Sequence, residues 1–264
     1  MERHLGPRPN DKTEMLKILG FRSMQELIDK TVPKQIREEK FTKMFLNDEK
    51  HPQINSESEF LKKMKSIARE NKVFKSYQGM GYYPTHTPNV ILRNVFENPN
   101  WYTPYTPYQA EIAQGRLESL LNFQTMVSEL TGMPISNASL LDEATAAAEA
   151  MFMAHSITGG RKSTIYVSDR IFPQTLAVIK TRAYPLGINV EVGNPMSVDF
   201  SAREDVFGLI VQNPDLYGEI HDWTAKGKTV QDKQGLFIVV QDILSVTRHK
   251  TPGEMGADIA VGST

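Results

Sequence analysis

The pattern of apolar and polar positions divides this chain into two parts. Through residue 75, apolar residues recur at helical spacing in three short stretches separated by breakers, which predicts an N-terminal helical arm, 1–75. The third stretch opens at Ser56 with Glu59 three residues later, the spacing of a capping box. The stretch 38–58 has the weakest pattern, and we expect a surface loop there.

From residue 76 the pattern changes. Residues 76–110 are rich in Tyr, Pro, Gly and Asn with no sustained period, which indicates ordered but irregular chain. A helix with a leucine-rich stripe is predicted from Glu111 to Gly132, and an alanine-rich helix from Leu140 to about His155. The alanine-rich face suits close packing on a sheet.

After Gly159, β-rich runs alternate with helical ones. Strands are predicted in STIYVS, INVEV, FGLIVQ, GLFIVVQD and ADIAVGST. Such spacing is typical of βαβ units, so we predict for residues 76–264 an α/β domain with a mostly parallel sheet flanked by helices.

Composition narrows the function classes. The 264 residues carry 30 basic and 31 acidic side chains and no cysteine, so disulfides and thiolate sites are excluded and neither a nucleic acid nor a membrane is an expected partner. No apolar run approaches the roughly 20 residues of a membrane span. The charged start of the chain resembles neither a secretory signal nor a transit peptide. We expect the protein to be located in the cytoplasm, unless a leader has been removed.

Several segments resemble known ligand-binding motifs but lack residues that those motifs require. GMGYYP has Pro84 where a dinucleotide fingerprint needs its third glycine, and GGRKS lacks the upstream glycine of a phosphate loop. The six histidines show no metal-ligand spacing, so no metal site is predicted.

The start of the alanine-rich helix is more informative. Ser139 and Asp142 have the spacing of a helix cap, and in α/β proteins such helix starts bind anionic ligands at the sheet edge. However, Asp142 and Glu143 already place negative charge in the first turn, which would repel a phosphate. A self-capped helix is therefore favoured.

Asp242 follows a buried strand, the place where this fold class puts functional carboxylates. One suitable partner is the protonated pyridine nitrogen of a pyridoxal cofactor. Alternatively, Asp242 caps the turn that follows. The spacing does not decide between the two.

Longer segments of the sequence point to one protein family more specifically than these single residues do. ERHLGP, the stretch from Ser76 to Met151 containing YTPYTPYQAEIAQGRLE, and PGEMGADIAVGST closely resemble the amino-terminal half of the P-protein family of the glycine cleavage system, the glycine dehydrogenases (aminomethyl-transferring). The resemblance covers nearly the whole chain. It implies a fold-type-I pyridoxal-phosphate (PLP) architecture, incomplete at the C-terminus of this chain.

The resemblance also implies the reaction. In this family, glycine condenses with PLP, which acts as electron sink, loses its carboxylate as carbon dioxide, and passes its aminomethyl group to the lipoyl arm of H-protein. The family has two homologous halves, in some bacteria separate chains, and the lysine that holds PLP lies in the carboxy-terminal half. No lysine here matches it. We therefore expect a substrate-facing half that is inactive alone and whose Asp242 is a relic of the cofactor aspartate.

In this interpretation the tyrosine-rich stretches form one wall of an active site whose PLP is bound by the other half. The candidate wall residues share polar tips on rigid or aromatic supports. They are Tyr82, Tyr83, Tyr105, Tyr108, Gln109, Glu111 and Arg116, the last as a carboxylate or phosphate contact. The expected partners are a carboxy-terminal half or second P-protein chain, lipoylated H-protein and glycine. The compartment would be the cytoplasm in bacteria and the mitochondrial matrix in eukaryotes.

Two rival interpretations remain open at this point. In the first, the chain is a non-catalytic scaffold or assembly subunit whose tyrosines only make an interface. In the second, it is a free-standing α/β domain that holds a cofactor through Ser139 and Asp242.

Overall fold

The computed structural model describes residues 6–37, 54 and 56–264, so most of the loop predicted at 38–58 lies outside the described residues. The chain divides into two compact units, Met1–Lys75 and Ser76–Thr264. In the described ranges, no helix combines the length and the apolar character needed to cross a bilayer.

The first unit consists of short capped helices. They are α1 (Pro9–Ile18), α2 (Met24–Thr31) and α3 (Glu57–Ala68). The hydroxyl of Ser23 accepts a hydrogen bond from the Glu26 amide, and that of Ser56 accepts one from the Glu59 amide, each at 3.2 Å. These caps satisfy amides that have no partner within the helix, and they confirm the predicted starts of α2 and α3.

The second unit is an α/β domain. Its helices are α4 (Asn89–Ile91), continued by a π-helical turn (Leu92–Phe96), α5 (Gln114–Thr131), α6 (Glu143–Ile157), α7 (Pro173–Ala183) and α8 (Thr224–Gln231). Its strands are β1 (Thr164–Ser168), β2 (Asn189–Gly193), β3 (Val206–Asn213), β4 (Leu236–Gln241) and β5 (Ile259–Val261). All neighbouring strands pair in parallel, in the order β2-β1-β3-β4-β5. The predicted parallel sheet is confirmed.

Each face of the sheet has its own apolar core. On one face, alanines of α6 and residues of α7 pack with Ile165, Ile210 and Ile238. On the other face, Trp223 and Val230 pack with strand residues whose side chains point to that face. These include Leu209, Phe237 and Val239. The central strands β1, β3 and β4 are buried almost throughout because both of their faces are covered, whereas the edge strand β2 is partly exposed.

Two helix starts differ from the prediction. Helix α6 begins at Glu143 and not at Leu140, because Asp142 is the cap: its Oδ1 accepts from the Thr145 amide at 2.7 Å. The assignment of Ser139 as the cap is therefore wrong. Helix α5 begins at Gln114, three residues after the predicted Glu111.

The helical piece Asn89–Phe96 was not predicted either. It lies inside the stretch 76–110, which is otherwise irregular as expected. Its eight residues are too few to establish a helical period by pattern alone.

Helix α8 packs so closely on β4 that a side chain at Gly227 would not fit, and this packing can be tested. A methyl group at Gly227 would overlap the ring of Phe237, whereas a methyl group at Gly115 in α5 would meet no atom within 4 Å. We expect Gly227→Ala to lower the free energy of unfolding by about 1–3 kcal/mol through overpacking. We expect Gly115→Ala to leave it unchanged or raise it by up to about 1 kcal/mol. Urea unfolding of both variants measures this, and equal effects would contradict the packing.

Candidate functional site

The carboxyl ends of the parallel strands gather polar side chains at one edge of the sheet. Gln212 and Asn213 end β3, Asp242 follows β4, and Ser263 lies just beyond β5. The first residue of α6, Glu143, reaches the same edge, where it interacts with Gln212 and with the backbone of Ser263. In open α/β sheets this edge is where ligands bind.

Asp242 has both carboxylate oxygens occupied. Its Oδ2 accepts a hydrogen bond from the Tyr83 hydroxyl at 2.9 Å, and its Oδ1 accepts from the Leu244 amide at 2.8 Å. Its own amide donates to the Asn213 carbonyl at 3.1 Å. The hydrogen bond to Asp242, assisted by burial and by the charge of the carboxylate, raises the pKa of the Tyr83 hydroxyl above its usual value.

Glu143 is half-buried beside these groups. Burial raises the pKa of its carboxyl, hydrogen bonds from Ser263 and Gln212 act in the opposite direction, and the charges of Asp242 and Asp142 raise it further. The carbonyl oxygen of the Gln212 side chain is buried and has no hydrogen-bond partner among the described residues. The edge is therefore acidic.

These residues do not fit PLP at this edge. The phosphate of PLP needs donors or cations, but the N-terminus of α6 carries Asp142 and Glu143. A pyridine nitrogen would have to displace the tyrosine hydroxyl from Asp242. Lys162 offers no substitute for a cofactor lysine, because its ammonium donates to the carbonyl of Val206, at the opposite end of β3.

Tyr105 and Arg116 line a cavity of about 410 Å³ in the tyrosine-rich region. The Arg116 guanidinium donates to the Asn100 carbonyl at 3.1 Å and lies over the ring of Trp101, 5.7 Å from its centroid. The Tyr105 hydroxyl donates to the side-chain oxygen of Gln109 at 3.4 Å. This cavity thus combines aromatic walls with one cation.

The remaining candidates are exposed. Tyr82 is 72% exposed and Tyr108 is 90% exposed. Within the described part of the chain, the side chains of Tyr82, Tyr108 and Glu111 have no hydrogen bond or ion pair. The structure therefore joins Tyr83 to Asp242, and Tyr105 to Gln109 and the Arg116 cavity, but encloses neither Tyr108 nor Glu111.

Comparison with known proteins identifies the family. The family model described as "Glycine cleavage system P-protein" matches residues 2–264. The chain belongs to the glycine cleavage system P-protein family. It is 52% identical over 262 residues to a glycine dehydrogenase (decarboxylating) of Nostoc punctiforme, and 48% identical over 264 residues to that of Xylella fastidiosa. The two matches cover 99% and 100% of this chain, respectively, and the chain spans only 26% of the length of either relative.

A solved structure of this family shares the fold. An inhibitor-bound glycine decarboxylase (P-protein) of the glycine cleavage system matches with a TM-score of 0.82 at 30% identity, covering 97% of this chain and 57% of that chain. The predicted architecture, a PLP-dependent-transferase fold with helices on a parallel sheet, is confirmed by this match and by the sheet order.

A charged cluster after β3 escaped the sequence analysis. The buried carboxylate of Asp215 accepts from Arg170 and from His221, each at 3.0 Å, and Arg170 also pairs with Glu219. The ligand atoms of Asp215, Glu219 and His221 lie within 4.8 Å of one another. However, the Arg170 guanidinium already supplies the cation, which opposes a metal ion. Arg170 lies 45 positions from Asp215, so no local spacing signals the pair.

The cluster predicts an acid-sensitive contribution to stability. Burial alone would raise the pKa of Asp215, but hydrogen bonds from His221, Arg170 and two backbone amides outweigh it and hold the pKa below its usual value. The stabilisation is therefore complete above about pH 4 and is lost as the pH falls through the folded-state pKa.

We expect Asp215→Asn to lower the free energy of unfolding at pH 7 by about 1–3 kcal/mol, because it leaves Arg170 and His221 without their buried anion. The difference from the unmodified protein should shrink below about pH 4. Urea unfolding at pH 7 and pH 3 measures it. Asp232→Asn is the control, because its pair with Lys228 is largely exposed and should contribute less than about 1 kcal/mol. A difference that does not depend on pH would contradict this assignment.

Proposed function

We propose that this chain is part of a glycine decarboxylase, which decarboxylates glycine with PLP and transfers the aminomethyl group to the lipoyl arm of H-protein. The observation that carries the proposal is the match over the whole chain to proteins named glycine dehydrogenase (decarboxylating), at 52% identity in one case. Identity at this level along 262 residues extends well beyond a shared fold.

In this proposal the cofactor and its lysine belong to the other, carboxy-terminal half, and the present chain is inactive alone. The supporting geometry lies at the carboxyl edge of the sheet. Asp142 and Glu143 lie at the helix start where a phosphate would bind. The carboxylate of Asp242 already accepts a hydrogen bond from the Tyr83 hydroxyl. The edge keeps the architecture of a cofactor site without the residues that would hold the cofactor.

The chain would instead supply a substrate-facing wall. The proposed wall residues are Tyr82, Tyr83, Tyr105, Tyr108, Gln109, Glu111 and Arg116. The exposure of Tyr82 and Tyr108 supports this, since their hydroxyls are available to a group outside this chain. Arg116 has a suitable charge for the carboxylate of glycine and lines a cavity with Tyr105.

The proposed partners follow from the same function: a carboxy-terminal half or second P-protein chain, lipoylated H-protein and glycine. The compartment would be the bacterial cytoplasm or the mitochondrial matrix.

The scaffold interpretation has one observation in its favour. Helix α5 is 18 residues long, yet none of its residues is buried, and Leu121 and Met126 are more than half exposed. Exposed apolar side chains on an unburied helix are typical of an interface. A purely structural role predicts that the wall hydroxyls can be removed without effect on the chemistry.

Titration with PLP tests whether the cofactor is bound by the carboxy-terminal half and not by this chain. We expect PLP to produce no visible absorption band of a bound cofactor with this chain alone. The band, and release of carbon dioxide from glycine, should appear when a carboxy-terminal half is supplied. A reducible PLP adduct on one specific lysine of this chain would refute the proposal.

Kinetics of the assembled enzyme test the wall. We expect Tyr108→Phe and Glu111→Gln each to lower kcat/KM for glycine by about fivefold or more, the effect of losing a hydrogen bond to substrate. The matched control is Tyr184→Phe, because Tyr184 is 86% exposed in the turn after α7 and is outside the proposed wall. Wild-type turnover in both wall variants would favour the scaffold.

A further inference from the structure

One segment of the tyrosine-rich region lies across the carboxyl edge of the sheet. We call this segment, Gly79–Tyr83, the strap. At one point it meets the start of α7, which follows β1, and at its end it meets Asp242, which follows β4. The strand between these two, β3, ends at the same edge of the sheet. That end carries Gln212, whose side chain is 1% exposed.

The backbone of the strap needs external support. Gly79, Met80 and Gly81 all have positive φ, at 65°, 58° and 85°. Glycine tolerates this region, but a side chain such as that of Met80 rarely adopts it unless surrounding contacts impose it. The strap has one internal backbone hydrogen bond, from the Tyr82 amide to the Gly79 carbonyl at 3.3 Å.

Two contacts hold the middle of the strap. The Gln174 side-chain amide donates to the Met80 carbonyl at 3.0 Å. The ring of Phe172 lies so close to Gly81 that an added methyl group would come within 2.6 Å of it. These contacts fix the strap against the start of α7.

Tyr83 fixes the other end. Its hydroxyl donates to Asp242, and that carboxylate is itself held by the Leu244 amide. The carbonyl of Asp242 accepts from the Ser245 hydroxyl at 2.8 Å, so the backbone at this position is held as well. An acceptor that is already immobile positions its donor well, because little rotational freedom remains to be lost.

We propose that Asp242 is a positioning residue: through Tyr83 it fastens the strap across the carboxyl edge of the sheet, so that this chain's own tyrosine takes the place of a ligand there. The strap thereby links the start of α7 to the turn after β4 and holds Tyr82 in its exposed position. This inference rests on the proposed function only where it connects Tyr82 and Tyr83 to glycine. Asp242 thereby has a structural role in this chain.

Chymotrypsin cleavage of this chain tests the fastening. Tyr83 precedes Pro84, which blocks cleavage after it, so cleavage in the strap occurs after Tyr82. We expect Asp242→Asn and Tyr83→Phe each to speed cleavage after Tyr82 by about threefold to tenfold. The double variant should be no faster than either single variant, because both remove the same bond.

Cleavage after Tyr217 provides an internal reference, since Tyr217 is also 72% exposed. A rise confined to Tyr82 shows a released strap, whereas an equal rise at both sites shows general loosening and overturns the proposal. Unchanged cleavage after Tyr82 in both single variants overturns it too. Tyr83→Phe keeps the ring and the carboxylate, so the test survives if Asp242→Asn does not fold.

The assembled enzyme separates this inference from the proposed function. Both single variants should raise KM for glycine by about fivefold with kcat within about twofold, and Tyr184→Phe should change neither. If cleavage after Tyr82 rises but KM stays constant, the strap is fastened by Asp242 and the substrate-facing wall is wrong. If KM rises without any change in cleavage, the positioning role of Asp242 is wrong.

Discussion

The parallel sheet, covered on both faces, is the constraint on which the rest of the structure depends. Parallel strands need apolar cover on each side, and the alanines of α6 let that helix lie close against one face. Because every strand runs in the same direction, the loops after them meet at one edge. Tyr83 and Asp242, 159 positions apart, become neighbours there. The chemistry of this edge therefore follows from how the sheet is assembled.

The same edge shares the fold's usual ligand-binding position but carries residues that do not suit a phosphate. The helix start that commonly attracts a phosphate is neutralised by the chain's own Asp142 and Glu143. The carboxylate after β4 is occupied by a phenol and a backbone amide. A family match that covers residues 2–264 is thus compatible with an edge that does not fit the cofactor. Function has to be argued from the residues of the site and not from the fold alone.

Elements with a long, regular pattern were predictable. All five strands were found where the pattern placed them, and the runs were most continuous in β3 and β4, whose residues are buried on both faces. Helix starts were less predictable: Asp142 and not Ser139 caps α6, since only the geometry shows which side chain reaches the free amides. The short helical piece Asn89–Phe96 carried too few residues to be recognised.

By itself, the sequence determined the fold class, the absence of cysteine chemistry, the acidity of the α6 start and the family resemblance. Each of these depends on composition, on local period or on a long run of particular residues. Only the tertiary structure decided that the Tyr83 hydroxyl donates a hydrogen bond to Asp242 and that Arg170 pairs with Asp215. Arg170 and Asp215 are brought together because they follow the neighbouring strands β1 and β3, and Tyr83 reaches Asp242 from the irregular segment ahead of the sheet. No local pattern encodes either pairing.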